Sequence, residues 1–425
     1  MPDTIDALFA FVTAAAIAWL LVPVAEALAI RIGAIDMPRE RSLHTEPTPK
    51  LSGAAILVAV LVSGVIFLPL DEETRAILIG AAAIALVGVV DDIVELNAGM
   101  KLLGQTAAAI IPVQAGVSVA VITVPFLGGI DLGGTQLVDL PLTGPIYLGA
   151  VLTVIGIVGM ANVINLIDGV DGLAAGVCAI SAITLAAIAL SLERNAAGVL
   201  AAITAGGALG FLRHGFPPAS SFMGDTGSNL LGYLLATIAV QGALKTNAIV
   251  ALAFPLVVLA VPILDTSFVI AKRIKYRQPL FTADKSHFHH RMADIGFSQR
   301  RTIAYLYGWT AALAALALAL RFVPYSDDKG DFDAAWTAVM IAFIVLALFA
   351  SVRLLTALEI LKLRRFRFRQ VEAAIPGEPS QEAVDEGVAR ELESGTFEAV
   401  DPETGTFTKI DPETDEFEAI EPDED

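Results

Sequence analysis

Long apolar stretches, almost free of charge, recur from one end of this chain nearly to the other. They run approximately over Ile5–Ile30, Ala54–Leu70, Ala76–Val90, Leu102–Val124, Pro145–Met160, Leu173–Leu192, Ala197–Leu212, Asn229–Gly242, Ala248–Ala271, Thr302–Phe322 and Ala334–Leu361. A hydrocarbon layer roughly 30 Å thick offers no water to the backbone, so a chain crossing it must satisfy its own N–H and C=O groups. Stretches of this length without polar alternation do so as helices. Composition agrees: charged residues are 17% and mean hydropathy is +0.71, whereas soluble domains carry about a quarter charged residues. The expected fold is an all-α polytopic membrane protein with about eleven transmembrane helices. The first stretch has no basic region before it and no evident cleavage site, so it reads as a retained span.

Net charge is -18, but the acidity is local: residues 371–425 hold 19 Asp plus Glu against 2 Lys plus Arg. The chain therefore divides into a multi-span domain over 1–365 and an acidic tail over 366–425. The tail repeats with a ten-residue period, GTFEAVDPET, GTFTKIDPET and DEFEAIEPDE. Acidic, Pro-containing units with one Phe each bury too little apolar surface to offset ordering entropy, so disorder is expected there. The basic run LKLRRFRFRQ before the tail suits anionic lipid headgroups.

Eleven spans sort the loops into two sets, and Lys and Arg concentrate in one: Arg31–Lys50, Asp91–Lys101, Asn162–Gly172, Arg213–Ser228, Lys272–Arg301 and the region after Leu361. Basic loops stay in the cytoplasm, which places the N-terminus outside and the C-terminus inside. The Gly-, Val- and Thr-rich segment 123–143 then reads as a short external β-hairpin. The single cysteine, Cys178, precludes an intrachain disulfide and a CxxC metal site.

The same loops carry the chain's unusual polar motifs. Asp91 and Asp92 close the third span, where two adjacent carboxylates repel unless a cation or proton intervenes. In NVINLIDGVDGLAAG, Asn162, Asn165 and Asp168 are three apart and share a helical face, and Gly169 and Gly172 around Asp171 break the helix. SSFMGDTGSNLLG sets Asp225 between glycines before the eighth span, where free helix N–H groups suit an anion and the carboxylate suits a cation. Thr226 and Ser228 are candidate caps there. TADKSHFHHRMADIG gathers His287, His289, His290 and Arg291, a set better suited to phosphate oxygens than to zinc. Arg41, His44 and Lys50, in a Pro-rich loop, and Lys101 add cations on this face. A membrane transporter with broken helices is the competing class; it would show inverted repeats and charges deep within several spans.

At these residues the sequence resembles the polyprenyl-phosphate N-acetylhexosamine-1-phosphate transferases. The matches are the DxPxxRxxH loop (Asp36 to His44), the Asp91–Asp92 pair, NxxNxxDGxDGLA (Asn162 to Ala174), FMGDTGS (Phe222 to Ser228) and HFHH (His287 to His290). They cover roughly residues 1–320 and leave out the tail. The resemblance implies a bacterial inner-membrane enzyme, often homodimeric, with a cytoplasmic active site and a Mg²⁺ requirement, Mn²⁺ being the alternative ion. It makes Asp225 the metal ligand and assigns Asp91 and Asp92 to lipid-phosphate activation or the metal. Asn165, Asp168 and Asp171 would line the nucleotide-sugar site, and the three histidines would contact the diphosphate or sugar. HFHH rather than HHH favours UDP-N-acetylglucosamine over the muramoyl-pentapeptide donor. The expected partners are a UDP-N-acetylhexosamine, a polyprenyl phosphate and the membrane, with no nucleic acid.

Overall fold

The computed structural model describes residues 4–37, 47–124, 128–140, 144–242, 259–275, 292, 297–323 and 333–353, with three short strands beyond residue 396. Arg41, His44, His287, His289, His290 and Arg291 lie outside the described residues. The chain forms two compact units, one of Met1–Leu264 with Ile303–Phe343 and one of Asp265–Thr302 with Ile344–Asp425.

The first unit is helical: α1 (Thr4–Ile32), α2 (Gly53–Phe67), α3 (Glu72–Val94), α4 (Ala98–Gln114), α5 (Leu148–Ile167), α6 (Leu173–Ser191), α7 (Asn195–Gly215) and α8 (Gly224–Gly242). α9 (Ala260–Lys275), α10 (Gln299–Phe322) and α11 (Ala334–Arg353) follow and run across the boundary between the units. Among the described residues seven helices, α1, α3, α5, α6, α7, α10 and α11, are long and apolar enough to cross a membrane, while α2 is a shorter apolar helix. The protein is thus a multi-pass membrane protein by length and composition of its helices.

α8 forms the centre of this unit. It packs on α2, α3, α5, α6 and α7, and its residues Thr226–Val240 are all buried. α1 lies along α7 and buries Ala7, Ala10, Ala14 and Ala18. Small residues allow such close helix contact where lipid provides no hydrophobic drive between helices. α1's other face exposes Leu8, Phe9, Val12, Trp19 and Leu20, as an apolar solvent permits.

The fourth apolar stretch departs from the single span expected over Leu102–Val124. Its helix ends at Gln114 and Gly116 takes φ +98°. The β-branched run Val121–Val124 then forms β3, antiparallel to β4 (Gly128–Asp131) with Ile122 opposite Ile130. A second antiparallel pair joins β5 (Gln136–Leu140) and β6 (Gly144–Tyr147). Near the start of the chain, β1 (Ile35–Asp36) pairs with β2 (Thr48–Pro49).

In the second unit three short strands of the tail are described. β7 (Phe397–Val400), β8 (Phe407–Ile410) and β9 (Phe417–Glu418) form an antiparallel meander, one strand per repeat, with Ile410 opposite both Phe397 and Phe417.

Candidate active site

The two adjacent aspartates at the end of α3 point in different directions, because neighbouring helical residues are about 100° apart. Asp91 accepts a hydrogen bond from the Leu96 N–H at 2.7 Å and pairs with the Lys101 ammonium at 2.9 Å. Asp92 turns to α8: its carboxylate accepts from the Asp225 N–H at 2.9 Å, the Thr226 N–H at 3.0 Å and the Thr226 hydroxyl at 2.7 Å. It is a cap supplied from another helix, satisfying N–H groups that a helix start leaves unpaired. Gly88, one turn earlier on α3, makes the approach feasible, since a Cβ there would lie 2.5 Å from the Thr226 backbone. The expectation that the start of α8 offers free N–H groups to a substrate anion is therefore corrected: Asp92 takes those at 225 and 226. Nor do Thr226 and Ser228 cap the helix. They lie inside the helix, where the Ser228 hydroxyl donates to the Gly224 carbonyl.

Asp225 thereby projects from a fixed helix start toward α4 and α5. Lys101 donates to its Oδ2 at 2.5 Å, Asn165 Nδ2 donates to its Oδ1 at 2.5 Å, and Asn165 Nδ2 also reaches the Ser228 hydroxyl at 2.9 Å. One helical turn deeper lies a layer of amides. Asn162 donates to Gln105 at 2.7 Å, and Gln105 donates to Asn229 at 3.1 Å. Asn162 is thus in the supporting layer beneath Asn165, and Gln105 and Asn229, which the motif reading did not single out, complete it.

α5 ends at Ile167, as the glycines around Asp171 suggested. Asp168 caps the end through its N–H to the Asn165 carbonyl at 3.2 Å. Burial, and the charges of Asp225, Asp92 and Asp171, push its carboxyl well above the ordinary carboxylate range. Asp171 accepts from the Ala219 N–H at 3.1 Å and so ties the turn to the segment before α8. From α10, the Tyr307 hydroxyl donates to the Gly172 carbonyl at 2.6 Å. Tyr307 is 135 positions from its partner, and nothing in the local sequence distinguishes it from Tyr305 in the same apolar span. Lys50 lies beside the site through its backbone, because Phe222 donates to the Pro49 carbonyl at 2.8 Å and Ser52 to the Phe222 carbonyl at 3.1 Å.

The assembly gathers Asp91, Asp92, Asp168, Asp171 and Asp225 at one end of the first unit, with Lys101 as the ammonium bridging two of them. Among the described residues no three His, Cys, Asp or Glu side chains form a ready-made metal cage. Magnesium does not require one: it is held by one or two carboxylates, with water and substrate phosphate oxygens completing its shell. The all-oxygen donor set and the excess of carboxylates fit such an ion.

The model of glycosyl transferase family 4 matches residues 74–243, the stretch that includes every one of these aspartates. Over 313 residues the chain is 35% identical to a Bacillus subtilis (strain 168) protein named probable undecaprenyl-phosphate N-acetylglucosaminyl 1-phosphate transferase, covering 73% of this chain and 84% of that one. The chain belongs to glycosyl transferase family 4. A decaprenyl-phosphate N-acetylglucosaminephosphotransferase of Mycolicibacterium smegmatis is 33% identical over 369 residues, 80% of this chain and 87% of that one. The phospho-N-acetylmuramoyl-pentapeptide-transferase of Moorella thermoacetica is 31% identical over 340 residues, 74% and 99% of the two chains. In this family 4 protein, charged and amide side chains cluster where α3, α4, α5 and α8 meet, and the turn after α5 is held from two sides.

Proposed function

We propose that the protein transfers N-acetylglucosamine 1-phosphate from UDP-N-acetylglucosamine to a polyprenyl phosphate, releasing UMP, at the cytoplasmic face of a bacterial inner membrane. The observation that carries this reading is the meeting of Asp91, Lys101, Asn165 and Asp225 at one point from four helices. The names of the Bacillus and Mycolicibacterium relatives support the donor and acceptor classes.

The reaction is an in-line displacement. An oxygen of the polyprenyl phosphate attacks the β-phosphorus of the UDP-sugar, the bond from that phosphorus to the oxygen bridging the two phosphates breaks, and UMP departs with the electron pair. Phosphate monoesters with a second pKa near 6 are largely dianionic at neutral pH, so the acceptor needs little help from a general base. Asp91 has a positioning role through Lys101, whose ammonium neutralises phosphate oxygens in the transition state. Asp225 would hold Mg²⁺, with Mn²⁺ the alternative ion, and the amide of Asn165 keeps that carboxylate oriented. When bound there, such an ion would supply charge neutralisation to the diphosphate and to the departing UMP. Asp168 and Asp171, on the turn after α5, line the nucleotide-sugar side. Arg41, His44, Lys50 and the His287–Arg291 loop supply further phosphate contacts.

The test mixes purified protein, Mg²⁺, undecaprenyl phosphate and radiolabelled UDP-N-acetylglucosamine and follows UMP release. Turnover is expected with the wild type and none with Asp225→Ala. Turnover with UDP-N-acetylmuramoyl-pentapeptide alone would replace the donor assignment, and a phosphorylated enzyme isolated without acceptor would replace the one-step route.

A further inference from the structure

Lys101 stands in the first turn of α4, yet its ammonium points into the protein rather than toward solvent. It sits among three oxygens from three other helices: Asp225 Oδ2 on α8 at 2.5 Å, Asp91 Oδ2 on α3 at 2.9 Å and Asn165 Oδ1 on α5 at 3.3 Å. Each oxygen is oriented by something other than the lysine. Asp225 is set by the capped start of α8 and by Asn165 Nδ2, Asp91 by the Leu96 N–H, and Asn165 by its bonds to Asp225 and Ser228. The cage is therefore built independently of its occupant.

Two carboxylate oxygens and a neutral amide oxygen are the donors a hard divalent cation selects. Against the two negative charges one ammonium leaves a residual charge, which a divalent ion cancels. An ion bound to Asp225 would share that carboxylate with the ammonium, and two cations so close repel strongly where water is scarce. Lysine is suited to give way, since its ammonium rides on a flexible four-carbon stem.

We infer that Lys101 and the divalent cation compete for one oxygen cage, the ammonium withdrawing as the ion enters. The inference rests on the reading of Asp225 as the metal ligand. It adds an order to the site: the withdrawn ammonium is free for the diphosphate that arrives with the ion, so metal and nucleotide-sugar favour each other's binding.

The experiment measures Mn²⁺ binding alone, without nucleotide or lipid, by the electron paramagnetic resonance signal of free Mn²⁺ over the purified full chain in nanodiscs. Lys101→Met is expected to bind Mn²⁺ at least about tenfold more tightly than the wild type, because a competing charge is gone. Lys101→Arg, which keeps the charge, is expected to stay within about threefold. Lys101→Gln serves as a second neutral variant, and cooperative thermal unfolding in chelator checks that each variant folds. Unchanged or weaker binding in the folded neutral variants would overturn the competition. Asp225→Asn judges the metal reading separately: it is expected to abolish binding, and retained affinity would remove Asp225 as the ligand whatever Lys101 does. Absence of binding in every variant would overturn both.

Discussion

At the scale of single residues, two aspartates side by side in sequence have different environments. Asp91 is bonded to Lys101, while Asp92 is buried and spends its carboxylate on two backbone N–H groups and a hydroxyl of α8. Removing it leaves buried donors unpaired, a cost of about 1–3 kcal/mol. Asp92→Ala is accordingly expected to lower stability by about 2 kcal/mol, the upper range for loss of a helix cap. Asp92→Asn should recover part of this, since its amide oxygen still accepts. Thermal unfolding of the purified variants measures both, and equal stability of Asp92→Ala and wild type would contradict the capping role. The local sequence carried the identity of the pair but not its division of labour, because which carboxylate faces which helix depends on how α3 and α8 are rotated against each other.

Among elements, the turn between α5 and α6 is held by two segments distant in sequence. Asp171 fastens it to the stretch before α8, and Tyr307 of α10 fastens it from the other side. Gly176, one turn into α6, leaves room for the Tyr307 ring, with which a Cβ would collide. Tyr307→Phe removes one hydrogen bond worth about 0.5–1.5 kcal/mol. The expected result is a KM for the nucleotide-sugar raised by about two- to tenfold with kcat nearly unchanged. A fall in kcat with an unaltered KM would place Tyr307 in the chemical step instead. The break itself was legible in Gly169 and Gly172, and so were the spacing of Asn162, Asn165 and Asp168. The tie to α10 was not, since nothing local links residues 135 positions apart.

Across the first unit, charge follows the ends. Arg31, Lys50, Lys101 and Arg213 stand at the end with the carboxylates, and Arg75, Arg194 and Arg321 belong to the other, where Arg321 donates to Ser191. Cytoplasmic retention of basic loops predicts that the site faces the cytoplasm. Because Cys178 is the single cysteine and is buried, single cysteines can report side directly. Glu95→Cys should react with a membrane-impermeant maleimide only in inverted vesicles, and Glu193→Cys only in intact cells. Labelling of both from the same side would sink the topology.

Apolar length and the absence of alternation were enough to read helices and membrane, for these follow from the backbone's need to pair its own hydrogen bonds in lipid. The motifs were likewise enough to read the family, because chemistry-bearing residues stand out against an apolar background. That the fourth helix ends at Gln114 rather than running to Val124 escaped that reading, since a short apolar run suits either form until its neighbours select one. Packing alone decided that Asp92 closes a helix, that Asn162 lies a turn below the charged layer, and that Lys101 sits in an oxygen cage. Side-chain direction is set by helix rotation and long-range contact, and neither is written in the order of residues along a single helix.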